Sequence, residues 1–274
     1  ARAGGGRFSA VLDARYNDLR VPLQGARVLP GLTGAAMYRI GILNSLTGVM
    51  ANSETLVAQA TRLAIDEINA AGGVLGEELV PVVRDGGSRA EQFARGAREL
   101  LRDEQAQVLF GCWTSASRKA LLPVLREHNG LLFYPLQYEG LEESPNIIYT
   151  GSTLNQQIEP AVDWVMDQAW QRAAIVGSDY VYPRTANTLM YGIMEKRGGT
   201  VIEECYLPLE GYNVAPVVDQ LLAGRPDVIF STINGAANID FFRRLAEVGP
   251  GPDALPVVSF SFSETELALV PEAV

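Results

Sequence analysis

The stretch Tyr38-Arg39-Ile40-Gly41-Ile42-Leu43, with Asn44-Ser45-Leu46-Thr47-Gly48 behind it, decides the fold class. A short apolar run closed by turn-forming residues reads as a buried strand. The period then changes. Ser53 is a candidate N-cap, and Leu56, Ala60, Leu63, Ala64 and Ile68 recur at helical spacing. They predict a helix over 53–71, stopped by Gly72-Gly73. Strand, loop, helix and glycine stop make one unit of a parallel α/β sheet.

The unit repeats. Strands are expected over 79–83, 106–110, 130–134 and 147–149, with helices over 88–101 and 115–127. A second series follows, with helices over 156–169, 186–197, 214–222 and 236–248. Its strands are expected over 173–176, 201–206, 227–230 and 255–260, before a possible last helix. The pattern predicts an α/β chain with two parallel sheets flanked by helices: lobe one over 38–150, lobe two over 151–274, divided near Thr150 to Asn155. Residues 1–37 read differently. Phe8, Val11, Leu12, Tyr16 and Leu19 fit a short amphipathic helix, and Pro22, Pro30, Gly31 and Gly34 read as turns. An extension or linker is expected there.

Composition narrows the function classes. The 274 residues are 47% hydrophobic, as in a globular chain, and 22 basic against 32 acidic residues give a net charge of -10. That balance argues against nucleic acid or a membrane surface as the main partner. No run of 18 apolar residues is present, so no membrane span is expected. Residues 1–6 lack the apolar run of a signal peptide, and the chain begins with Ala, which leaves localisation open at this level.

Cys112 and Cys205 cannot build a disulfide framework and lack metal-site spacing; one bridge between them is the open alternative, with nothing local to support it. The single histidine, His128, excludes zinc sites of several histidines. It falls at a helix end and reads as a cap or a solvent-facing group. Cys112 has no orienting partner and reads as a buried structural thiol. Asp66 and Glu67 fall on an exposed helix face. The Walker, dinucleotide and GxSxG patterns are absent. No cofactor, metal or catalytic activity is expected.

Ligands of parallel sheets sit at the carboxyl ends of strands. That rule selects the loops 44–51, 84–88, 111–117, 135–140, 177–184 and 231–238. In the third, Ser115 can cap the following helix and face a ligand, while Trp113 is either an apolar wall or core. In the fourth, aromatic faces suit a planar molecule, and Gln137 and Glu139 offer polar contacts; core and turn remain the alternative. In the fifth, Tyr180 and Tyr182 are two apart, so one can close over a ligand while the other packs. Asn234 and Asn238 in the sixth are caps or ligand groups.

These loops carry a family resemblance. YRIGILNSLTGVMANSE from Tyr38, AIDEINAAGGVLG from Ala64 and FGCWTSASRKALLPV from Phe110 are followed by NGLLFYPLQYEGLEESPNIIYTG from Asn129. NQQIEPAVDW from Asn155, GSDYVYPRTAN from Gly177 and PDVIFSTINGAAN from Pro226 continue it. In this order the phrases resemble solute-binding proteins of the branched-chain amino acid type, closest to the urea and short-chain amide receptors of ABC transporters. The chain is less similar to the cytoplasmic amide sensor of the same family. That sensor has tyrosine at the position of Trp113, and Thr and Pro at those of Leu136 and Gln137.

The resemblance implies a two-lobed periplasmic-binding-protein type I fold whose lobes close by a hinge over a ligand. It places pocket positions on Trp113, Ser115, Tyr134, Leu136, Gln137, Tyr180 and Asn234. The implied function is capture of urea or a short-chain amide for import, with permease subunits as partners, in the periplasm or on the extracellular side. On that reading Ser115 and backbone N–H groups face the urea oxygen, Gln137 and carbonyls take its N–H groups, and Trp113 and tyrosines cover its plane. An amide- or amino-acid-sensing module in the cytoplasm is the alternative; an amide hydrolase lacks an evident base, nucleophile and oxyanion arrangement. The usual member returns to lobe one after a segment like 260–267, and the chain departs from that pattern. Residues 1–37 exceed the usual start.

Overall fold

A computed structural model describes residues 37–270. The reading of residues 1–36 as an extension lies outside them. Strand β1 (Tyr38–Asn44) is the pivot of the first sheet. It pairs in parallel with β2 (Leu79–Asp85) and β3 (Val108–Gly111), so that Ile42 lies opposite Val83 on one side and Phe110 on the other. Strands β4 (Leu132–Tyr134) and β5 (Ile147–Tyr149) extend the order to β2-β1-β3-β4-β5. In the second sheet β6 (Arg172–Ser178) is flanked by β7 (Thr200–Leu207) and β8 (Val228–Thr232), and β9 (Val257–Ser259) completes β7-β6-β8-β9. All these pairings are parallel. Both sheets lie in one compact unit that begins at Met37.

Helices cover both faces of each sheet. In lobe one α1 (Ala51–Ala70) buries Ala58 and Ile65 against Ile40 and Ile42. On the opposite face α2 (Ala90–Arg98), which continues into a π-helical turn over Glu99–Asp103, and α3 (Ser115–His128) pack Phe93, Ala97, Leu121 and Val124 around Leu43. Lobe two shows the strand period directly. Ala173 and Ile175 point to α4 (Leu154–Asp167) and α5 (Val181–Lys196), whereas Ala174 and Val176 point to α6 (Val214–Ala223) and α7 (Ala236–Val248). Each such large aliphatic side chain contributes about 1.5–3 kcal/mol by leaving water. A short α8 (Glu264–Leu267) closes the described chain.

Helix starts depart from expectation for identifiable reasons. Helix α1 begins at Ala51, not at Ser53, because the Ser88 hydroxyl accepts from the Met50 N–H at 3.0 Å and replaces a local cap. Its buried stripe is Ser53, Glu54, Ala58 and Ile65. The expected apolar stripe faces outward, with Leu56 41%, Leu63 60% and Ile68 39% exposed. Two stripes compete on this helix. The Glu54 carboxylate, held by the Ser45 N–H at 2.7 Å, fixes the rotation. Helix α5 starts at Val181, five residues before the expected start, because Pro183 falls in the first turn, where its missing N–H costs nothing. The helix expected from 156 starts at Leu154, with Thr153 and Gln156 forming a capping box.

Candidate functional site: a cleft between the strand ends of two lobes

The strand ends of lobe one converge at a strained turn. Gly111 has φ 145°, and a Cβ there would lie 1.9 Å from the Leu43 carbonyl, so no other residue fits. Cys112 follows with φ 63° and donates its N–H to that carbonyl at 2.9 Å. Its thiol is wholly buried and free, and burial pushes its pKa up beyond the nucleophilic range. Cys205 is likewise buried and free, with burial pushing its pKa up to about 11.

The turn delivers Trp113 to the cleft. Its ring is half-buried, and Nε1 donates to Oδ1 of Asn234 in lobe two at 3.2 Å. Tyr134 is buried beneath and donates its hydroxyl to the Trp113 carbonyl at 2.6 Å. It supports both cleft loops, since the same hydroxyl also meets the Gln137 carbonyl at 3.3 Å. The cap of α3 is Thr114, whose Oγ1 accepts from the Ser117 N–H at 3.1 Å; Ser115 is the next residue. Ser115 is therefore not the cap. Its buried hydroxyl donates to Glu139 at 2.6 Å and accepts from Arg118 at 3.1 Å.

Arg118 was not legible as a site residue, yet it organises this side of the cleft. Its side chain is fully buried and pairs with Glu139 at 2.9 Å and Glu142 at 2.8 Å. The guanidinium lies over the rings of Tyr134, Tyr138 and Tyr149 at 4.8, 5.2 and 5.9 Å. Lys119 adds contacts of 3.1 Å to Glu139 and 2.6 Å to Glu142. Burial alone would raise the Glu142 pKa, but hydrogen bonds from Arg118 and Lys119 outweigh it and hold it at about 2. Burial is outweighed at Glu139 too, there by the Ser115 hydroxyl and the Arg118 charge. The network pins loop 135–142 to α3.

That loop reaches across the cleft. Gln137 donates from Nε2 to the Phe260 carbonyl of lobe two at 3.1 Å. Leu136 packs, half-buried, on the lobe-one core. From lobe two, Asn234 is buried and also donates from Nδ2 to the Thr232 carbonyl at 3.1 Å. Tyr182 falls in the lobe-two core, its hydroxyl donating to Gln157 at 3.1 Å. Tyr180 precedes α5, half-buried, with no hydrogen-bond partner for its hydroxyl among the described residues. Burial, with the charges of Glu139 and Glu54 adding, raises its pKa well above the usual value. Both tyrosines pack on the lobe-two core, and the Tyr182 hydroxyl also meets the Gln137 side chain. Asn238 donates from Nδ2 to the Ser261 carbonyl at 3.0 Å.

A backbone contact brings the lobes together. The Ala236 N–H donates to the Val49 carbonyl at 3.1 Å, beside Gly235 at φ 70°. A Cβ on Gly235 would lie 2.6 Å from the same carbonyl. Ser53 of α1 donates to Glu266 of α8 at 3.4 Å. Trp113, Gln137, Asn234 and Tyr180 thus share one cleft; Ser115 and Tyr134 sit under its lobe-one wall. His128 lies in the last turn of α3, and Asp66 and Glu67 are exposed on α1. Among the described residues no cluster of three or more His, Cys, Asp or Glu could hold a metal ion. None of their helices is long and apolar enough to cross a membrane.

Comparison with known proteins places this architecture. A family model, the periplasmic binding protein domain, matches residues 38–274. The chain is 30% identical over 150 residues to a Leu/Ile/Val-binding protein, BraC3, of Rhizobium johnstonii, covering 52% of this chain and 40% of that protein. It is 23% identical over 198 residues to a Leu/Ile/Val-binding protein homolog of Brucella melitensis, covering 70% and 53% respectively. The chain thus spans about half the length of these curated relatives. A solute-binding protein of an ABC transporter from Rhodopseudomonas palustris, solved with 3,4-dihydroxybenzoic acid, superposes with a TM-score of 0.75 at 22% identity. The match covers 81% of this chain and 61% of that one. Two parallel sheets facing each other across a cleft and a family match over nearly all the described residues lead to one conclusion: the chain belongs to the periplasmic binding protein domain family.

Proposed function

We propose that the chain captures urea or a short-chain amide between its lobes and delivers it to the permease subunits of an ABC importer, in the periplasm or on the outer face of the membrane. The observation that carries this reading is the polarity of the cross-cleft hydrogen bonds. Trp113 Nε1 faces Asn234 Oδ1, and Gln137 Nε2 faces the Phe260 carbonyl. Each is a neutral donor opposite a neutral acceptor. A planar amide carries an acceptor at one end and donors at the other, so it can exchange for such bonds and satisfy both sides. Trp113 and Tyr180 supply aromatic faces for its plane.

The charges nearby favour a neutral solute. Arg118 and Lys119 are spent on Glu139 and Glu142, so neither is free for a carboxylate. The relatives' own ligands, branched amino acids and a dihydroxybenzoate by their names, carry that group. Ser115 acts through Glu139, and Tyr134 and Leu136 through the position of their loops. Calorimetric titration with urea, acetamide, L-leucine and 3,4-dihydroxybenzoate tests the reading. Urea or acetamide should bind; leucine or the benzoate binding while both amides fail would defeat it.

A further inference from the structure

We propose that Glu54 is a solute-recognising residue of lobe one, its Oε1 accepting an N–H of the bound molecule; this rests on the reading of the cleft as an amide site. Glu54 stands in the first turn of α1 and is 1% exposed. Its Oε2 accepts from the Ser45 N–H at 2.7 Å and Asn44 Nδ2 at 3.5 Å, and the Ser45 hydroxyl is a further donor to the carboxyl. Neither of the two measured bonds ends on Oε1. The carboxyl lines a cavity of about 420 Å³ with Ser88, Thr114 and Ser117, covered from lobe two by Leu209 and Glu210. Beside it Asn44 Oδ1 is buried without a partner. A buried carboxyl on the cavity wall, with a buried acceptor short of a donor beside it, calls for a ligand rich in N–H groups, since an unmade buried hydrogen bond is costly.

The surrounding charge selects the same chemistry. Facing the carboxyl are Asp85 of β2, the neutral Cys112 and Tyr180, with Arg89, Glu91 and Glu210 around the cavity. Arg89 is directed to Glu210 at 3.6 Å, so no unpaired cation meets Glu54 there. Burial pushes the Glu54 pKa up to about 7, with hydrogen bonds from Ser45 and Asn44 offsetting only part of the rise. An N–H donor binds the ionised form, so solute affinity should rise with pH across that value. A carboxylate without N–H groups is repelled.

The test is calorimetry on the parent chain and Glu54→Gln between about pH 6 and about pH 8, with urea, acetamide, L-leucine and 3,4-dihydroxybenzoate. Gln keeps the size and the Ser45 hydrogen bond. The parent should bind an N–H-bearing probe more tightly at the higher pH, and Glu54→Gln should bind it about tenfold or more weakly with a flat profile. Equal binding by Glu54→Gln, binding of the benzoate alone, or binding of no probe overturns the proposal. Should Glu54→Gln not fold, carboxyl NMR titration of the parent decides: saturating probe must lower the Glu54 midpoint, and an unmoved midpoint overturns it. Leucine bound alone but through Glu54 removes the amide reading and keeps Glu54. Urea bound without regard to Glu54 does the reverse.

Discussion

Trp113 and Asn234 stand 121 positions apart in the chain and meet at 3.2 Å, indole N–H to amide oxygen, across the two lobes. The contact requires the turn at Cys112 on one side and the Ser178 hydroxyl on the other, which accepts from the Asn234 N–H at 2.9 Å. Trp113→Phe keeps an aromatic face and removes the donor. Urea affinity should fall by about 1–2 kcal/mol. Cys112→Ala, one position earlier, should leave it within about twofold, since its buried thiol makes no cross-lobe contact. Calorimetry on both variants checks the order; parental affinity in Trp113→Phe removes the indole N–H from recognition.

Gln137 is expected to set selectivity between urea and acetamide. Gln137→Leu keeps the bulk and loses the amide that spans to Phe260. Urea binding should weaken by about 1–3 kcal/mol and acetamide binding by less. The ratio of the two dissociation constants is the readout, because any general loss of folded protein cancels. An unchanged ratio makes Gln137 a lobe-packing residue.

Gly235→Ala should hold the lobes apart. The new Cβ would meet the Val49 carbonyl at 2.6 Å in a backbone conformation that glycine alone adopts readily. Solution scattering at saturating ligand should give a larger radius of gyration than for the parent, and affinity should drop. An identical radius shows that the contact between Val49 and Ala236 does not govern closure.

Arg118→Met leaves Glu139 and Glu142 buried without their guanidinium. The expected cost is about 3–5 kcal/mol in guanidinium chloride unfolding, chosen because urea is a candidate ligand. Arg118→Met with Glu139→Gln and Glu142→Gln should recover part of it. The pH dependence has a definite sign. The Glu142 pKa is depressed from 4.5 to about 2, so its contribution is present above 4.5 and is lost as pH falls towards about 2. Glu142→Gln should flatten that part of the acid-unfolding curve.

The alternation of sheet and helix was legible because each strand is a short apolar run with a glycine or polar turn behind it, as at Ile40 to Gly48. The loops that meet were legible through the rule for strand ends. Helix rotation was not, since α1 carries Leu56, Leu63 and Ile68 on one stripe and Ala58 and Ile65 on another, and a charged residue chose between them. Arg118 and Glu54 were missed for a related reason. A charged residue in a helix reads as surface unless its partners are known, and theirs come from positions 139 and 142, and from 44 and 45. Ser115 shows the same limit, because the hydroxyl that suited a cap is engaged by a carboxylate 24 residues later.

Parallel strands give this molecule two chemically distinct poles. Every cleft residue hangs from the carboxyl ends, where a Cβ on Gly111 or Gly235 would strike backbone. At the opposite pole the helix-to-strand turns have open positions: Gly72 and Gly198 have positive φ, and a Cβ on either meets nothing within 4 Å, whereas one on Gly73 would lie 2.0 Å from the Glu77 carbonyl. Sequence drift, inserted segments and reporter groups have freedom at that pole. A fluorophore or affinity tag attached at Gly72 or Gly198 would ride on the scaffold without touching the machinery of capture.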